Sequence, residues 1–183
     1  SRYTVDEKWI VPHFEKMLYD NIQFVNLLNN YLSNIESNYL KQKLKQTIKF
    51  INSEFLVKNS LLGSAYDADS DGIEGKYYVW KYQELKDILG NKLELLKNKY
   101  QISEEGNFEG SNILVENTKP IINEDSKILE IEKQLLEIRK KRNKPFFDDK
   151  SQTDLNAFWI YVNLYSSIIL NKKFLFEKSK KNI

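Results

Sequence analysis

The run PHFEKMLYDNIQFVNLLNNYL, positions 12–32, decides the fold class. Phe14, Leu18, Val25, Leu28 and Leu32 recur in it at helical spacing, which predicts an amphipathic helix from Pro12 to Leu32. Pro12 suits the first helical position, where its missing N–H would be unpaired in any case. A second helix is predicted from Ser37 to Val57, where Leu40, Leu44, Ile48, Ile51 and Phe55 form one stripe while Lys41, Lys43, Lys45 and Lys49 face elsewhere. Two long amphipathic helices with a short joint make an antiparallel hairpin.

Outward from this hairpin the pattern stays helical. Upstream, Thr4-Val5-Asp6-Glu7 has the spacing of a capping box, which predicts a helical turn stopped by Pro12. Downstream, Gly63, Gly72, Gly75 and Gly90 punctuate a region around Lys76-Tyr77-Tyr78-Val79-Trp80. That region reads as an extended loop or small hairpin leading into a short helix from Tyr82 to Leu89. A helix from Leu93 to Tyr100, a loop from Ser103 to Asn112 and a short strand at Ile113-Leu114-Val115 follow. A charged helix from Asp125 to Arg142 carries Ile128, Ile131, Leu135 and Ile138 on one face. The last helix starts near Thr153 and runs past Leu170. About five substantial helices with β-prone loops between them describe a mostly α fold.

Composition excludes several classes. With 41% hydrophobic and 13% aromatic residues in 183, the chain holds too much apolar material for disorder. A mean hydropathy of −0.57 and the lack of a long apolar run argue against a membrane protein. Zero cysteines exclude disulfides, thiolate metal sites and a cysteine nucleophile, and fit a reducing, cytoplasmic compartment. Twenty-eight basic against 26 acidic residues leave +2, too balanced for a nucleic-acid partner by charge alone. Only Arg2, Arg139 and Arg142 among the basic residues are arginines, so the lysine excess reads as codon usage of an A/T-rich genome. The first residue is Ser1 and the sole methionine is Met17, as expected for a piece of something longer.

Three constellations carry chemistry. On the predicted helix, His13, Lys16 and Asp20 share one face and Glu15 pairs with Tyr19. His13 would sit in the first turn, where the positive helix end favours neutral imidazole, able to act as a base. The same groups could instead be a buried polar network tying helix starts together. The second constellation is Asp67-Ala68-Asp69-Ser70-Asp71-Gly72, followed by Glu74 and Gly75. It opens like a calcium loop, but its twelfth position is Tyr78 rather than a bidentate Glu, so no metal is expected. Asp67 and Asp69 could serve acid/base chemistry on a sugar. The third is Arg139-Lys140-Lys141-Arg142-Asn143-Lys144-Pro145, whose acidic neighbours make a solvated helix end the default reading and a phosphate contact the minor one. The glycine loop 106–112 lacks the lysine of a phosphate loop. Trp9, Tyr77, Tyr78, Trp80, Phe146 and Trp159 suit either a core or stacking on sugar rings.

Taken in order, these pieces resemble a known family. The series from Arg2 to Trp9, Pro12 to Asp20, Asp67 to Ser70, Glu74 to Trp80, Gly106 to Gly110 and Arg139 to Lys150 is similar to the spermatogenesis-associated, thioredoxin-domain-containing proteins and their bacterial relatives. The resemblance covers nearly the whole chain. It implies that residues 1–183 are part of an (α/α)6 toroid like that of N-acylglucosamine 2-epimerases and six-hairpin glycosidases, built of helical hairpins with short β-hairpin loops. A thioredoxin-like domain, absent here, would be its covalently linked partner. Two positions depart from the family. Leu155-Asn156-Ala157-Phe158 stands where the family has Trp-Asn-Gly-Leu, and Lys81 replaces a threonine helix cap.

The implied function is carbohydrate metabolism. The expected acid/base residues are His13, Glu15, Tyr19, Asp20, Asp67 and Asp69. The expected substrate-binding residues are Glu74, Tyr78, Trp80, Asn107, Arg142, Asp149, Lys150 and Asn156. A small carbohydrate is the expected ligand, with no cofactor, no nucleic acid and no membrane. An epimerase needs a second base opposite His13, and no other histidine is present, so this chain alone should not be a competent epimerase. The alternative is a non-catalytic binding or scaffold module.

Overall fold

The computed structural model describes residues 2–57, 60–117 and 125–171. They form a mostly helical chain with a few two-residue strands. The chain divides into two compact units, one made of Ser1–Phe14 with Ala68–Phe146 and the other of Glu15–Asp67 with Phe147–Ile183.

The second unit contains the predicted hairpin. Strand β1 (Lys16–Met17) leads into helix α1 (Leu18–Leu32), and helix α2 (Asn38–Glu54) returns. Strand β2 (Ala65–Tyr66) pairs antiparallel with β1 on one side and with β7 (Phe147–Asp148) on the other, and helix α6 (Thr153–Ile169) follows. Leu18, Ile22, Val25, Leu28 and Leu32 of α1 meet Leu44, Ile48 and Ile51 of α2 and Trp159 and Val162 of α6 in one core. Ser37 caps α2, its hydroxyl accepting from the Leu40 N–H, which satisfies an otherwise orphaned donor.

Helix α1 begins later than its periodicity predicts. The backbone at Lys16 and Met17 pairs with Ala65 and Tyr66, and the Leu18 N–H donates to the Ser64 carbonyl at 2.8 Å. Strand pairing therefore claims the residues that a helix from Pro12 would have used. His13, Glu15 and Lys16 are not helical, and the shared helical face of His13, Lys16 and Asp20 does not form. Nor does His13 feel a helix end.

In the first unit, strands β3 (Asp69–Ser70) and β4 (Ile73–Glu74) form a tight hairpin. Helices α3 (Tyr82–Leu89) and α4 (Leu93–Lys99) are joined by a 3-10 turn at Gly90–Lys92, strand β5 (Tyr100–Gln101) pairs with β6 (Val115–Glu116), and α5 (Ser126–Arg139) follows. Trp80, Leu85, Leu89, Leu93, Leu96, Ile131 and Leu135 form its core. The run Lys76 to Trp80, expected as an extended loop or small hairpin, is turn backbone over Lys76 to Tyr78, with a bridge between Trp80 and Asn112. Gly75 explains the turn: its φ is +73°, and an added Cβ would meet the Phe14 ring at 2.6 Å. Only glycine provides both the conformation and the clearance.

The capping box at Thr4 also resolves differently. Thr4 bridges Pro12, and the chain between them is a closed loop rather than a helical turn. The tail of the last predicted helix, beyond Asn171, lies outside the described residues.

Candidate functional site

The N-terminal loop of the first unit is organised by one carboxylate. Asp6 accepts from the N–H groups of Lys8 at 3.0 Å, Ile10 at 3.0 Å and Val11 at 2.6 Å. These bonds, that from Val11 foremost, hold its carboxyl below the ordinary value. The Val5 N–H donates to the Val11 carbonyl and the His13 N–H to the Tyr3 carbonyl, closing the stem. The loop holds Trp9 at φ 58° with its side chain outward, the residue being 77% exposed. That backbone costs a non-glycine residue about 1–2 kcal/mol, which the three bonds to Asp6 offset.

His13 stands at the foot of the same loop. Its ring stacks on Tyr3 with centroids 4.8 Å apart and planes 6° from parallel. Its Nδ1 lies 3.5 Å from Glu74 Oε1, with side-chain exposures of 22% and 49%. The hairpin β3–β4 presents Glu74, and Asp69 is its cross-strand neighbour. Asp69 is exposed and Tyr78 half-buried, the latter stacking on Phe14 at 5.9 Å.

Other candidates of this unit serve its framework. Arg142 donates to the carbonyls of Tyr77 at 3.0 Å and Val79 at 2.8 Å and to Glu84 at 2.8 Å, and its guanidinium lies 4.0 Å from the centroid of the Trp80 ring. Its fork geometry thus locks the turn after Gly75 onto α3, in place of the solvated helix end that the sequence suggests. Asn107 exchanges two hydrogen bonds with the Ile113 backbone. Asp71 is bound by Lys76 and Asn143, both at 2.9 Å. Among the described residues no three His, Cys, Asp or Glu side chains converge as a metal-holding group.

Glu15, Tyr19, Asp20, Asp67, Asp149, Lys150 and Asn156 belong to the second unit. Asp20 lies in the first turn of α1, where the helix dipole favours a carboxylate. Asp67 and Asp149 are exposed. Lys150 pairs with Asp148 at 3.8 Å. Asn156, buried, accepts from the Leu62 N–H at 2.8 Å and donates to the Leu62 carbonyl at 3.1 Å, tying α6 to the segment just before β2.

Three features were not singled out from sequence: the stacking of Tyr3, the knot at Asp6 and a buried charge cluster. Lys99, only 6% exposed, pairs with Glu132 at 2.6 Å, and Tyr100 donates to the same carboxylate at 2.7 Å. Burial and that carboxylate together push the Tyr100 phenol above its ordinary value. Nothing in a linear pattern announces this cluster, because Glu132 on α5 is far along the chain from Lys99 and Tyr100. Asp6 did offer a signal, a carboxylate two residues after a threonine and followed by backbone donors, but the capping-box reading absorbed it.

No protein-family model matches the chain. It is similar to curated relatives all the same. Mouse spermatogenesis-associated protein 20 is 30% identical over 126 aligned residues, covering 60% of this chain and 16% of that protein. The human protein of the same name is 26% identical over 201 residues, covering 87% of this chain and 25% of the relative. The rat protein is 28% identical over 123 residues. The chain thus spans a quarter or less of the length of these relatives. At 26 to 30% identity they are distant homologues, and they support the spermatogenesis-associated protein family as the one to which this chain is related.

Proposed function

We propose that this chain is part of a carbohydrate-directed helical toroid, in which His13, oriented by Glu74, is the acid/base group. The observation that carries the reading is the 3.5 Å approach of Glu74 to His13 Nδ1 beside a partly open ring. A carboxylate beside Nδ1 orients the imidazole, the side chain most often used to take or give a proton in catalysis. The reaction class that suits such a group is proton transfer at a sugar carbon or glycosidic oxygen. The toroid reading draws support from the second unit. Its α1 and α6 carry one charged residue each, Asp20 and Asp154. Both expose large apolar side chains, Phe24, Leu27 and Tyr31 on α1 and Tyr161 and Ile168 on α6. Helices so apolar on both sides suit burial between further helical hairpins. A thioredoxin-like domain elsewhere in the longer protein and a cytoplasmic setting complete the proposal. Among the described residues no helix is long and apolar enough to cross a membrane.

The test is incubation of the full chain with N-acetylhexosamines and with aryl glycosides. Turnover or binding that His13→Asn abolishes is the expected result; no His13-dependent effect on any of them contradicts the proposal.

A second reading, a non-catalytic binding or scaffold module, is favoured by the framework roles of Arg142, Asn107 and Asn156. On that reading His13→Ala lowers the thermal midpoint sharply and leaves ligand affinity unchanged.

A further inference from the structure

We infer that Trp9 is a preorganised stacking platform for a sugar ring, an inference that rests on the carbohydrate reading above. Three observations converge on it. The side chain is 77% exposed, whereas the other two tryptophans, Trp80 and Trp159, are each 2% exposed. Tryptophan is among the residue types most enriched at recognition sites.

The exposure is built, not incidental. The residue at the tip of the loop is held at φ 58° by a carboxylate that gathers the Lys8, Ile10 and Val11 N–H groups. The positive φ and the three bonds to Asp6 hold the Trp9 backbone in place before any ligand arrives, so little backbone entropy is lost on binding.

The surroundings select the ligand. Glu7 and Lys8, next to Trp9 in the chain, are exposed, and so are Tyr3 and Val5 of the same loop, so the loop offers polar groups as well as apolar ones. The stem of the loop carries the Tyr3–His13 stack and the His13–Glu74 pair. An aromatic face on one part of a rigid loop and hydrogen-bonding groups at its foot match a pyranose, which has a C–H face and a ring of hydroxyls.

Tryptophan fluorescence tests this without ambiguity, because Trp9 alone is open to acrylamide. The full chain is titrated with glucose, N-acetylglucosamine and maltose, with calorimetry alongside. The inference expects at least one sugar to protect Trp9 from quenching. It also expects Trp9→Leu to weaken that sugar by about 3- to 10-fold, as loss of an aromatic stacking contact does, while Trp9→Phe stays within about twofold. Circular dichroism of both variants verifies the fold. If a sugar binds by calorimetry while Trp9 stays fully quenchable and Trp9→Leu binds as the parent does, the platform is refuted and the carbohydrate reading stands. If no sugar gives heat with the parent chain, both fail. If Trp9 becomes protected merely by raising the protein concentration, the indole serves self-association and the platform is likewise refuted.

Discussion

At the scale of single residues, Asp6 and Arg142 do the most organising for their size. The folded pKa of Asp6 lies below its ordinary 3.8. The stabilisation it gives is therefore complete above that value and is lost as pH falls through the lowered folded value. Thermal melts of the parent and of Asp6→Asn should differ clearly at neutral pH and converge only in acid below the ordinary 3.8, where the parent carboxylate also becomes protonated. Trp9→Gly relieves the positive φ but loosens the unfolded chain, so its stability should stay within about 1 kcal/mol of the parent. Arg142→Lys keeps the charge and loses the fork. It leaves the Tyr77 and Val79 carbonyls short of a donor, and denaturant melts should register a loss of about 1–3 kcal/mol.

Elements were legible in the sequence to different degrees, and the reasons are physical. Helix α3 was predicted at Tyr82–Leu89 and occurs there, because its short apolar stripe is bounded by Trp80 and Gly90. Helix α2 was expected from Ser37 and starts after it, since a cap is a local signal that no distant contact overrides. Helix α1 was misjudged at its start because Ala65 and Tyr66, far along the chain, recruit Lys16 and Met17 into a sheet. Period counting sees Phe14 as one more helical apolar residue, whereas it packs in a different unit against Tyr78 and Phe108. The candidate site suffered from the same blindness. Residue type alone marks His13 as acid/base and Glu74 as substrate-binding, and nothing in the sequence marks Tyr3, because stacking is a tertiary property. Between elements, the Lys99–Glu132 pair predicts its own test. Glu132→Ala leaves a buried ammonium without its nearest carboxylate and should cost about 3 kcal/mol by chemical denaturation, with the loss confined to the unit that holds α4 and α5.

For the molecule as a whole, a distant family relationship stands beside a local piece of chemistry. Its chemistry-bearing feature is one imidazole beside a carboxylate, and its helices in the second unit are apolar on more than one side. The central claim is that this imidazole meets a sugar. Because His13 is the only histidine, its ring protons give a single, self-assigned pair of NMR signals, and titrating the full chain with N-acetylhexosamines while following them is the most direct measurement. The account predicts a saturable shift of the His13 signals that Glu74→Gln weakens. Signals that stay fixed through a saturating titration of each sugar, in a chain whose stability nonetheless collapses on His13→Ala, would contradict it and make His13 a structural brace.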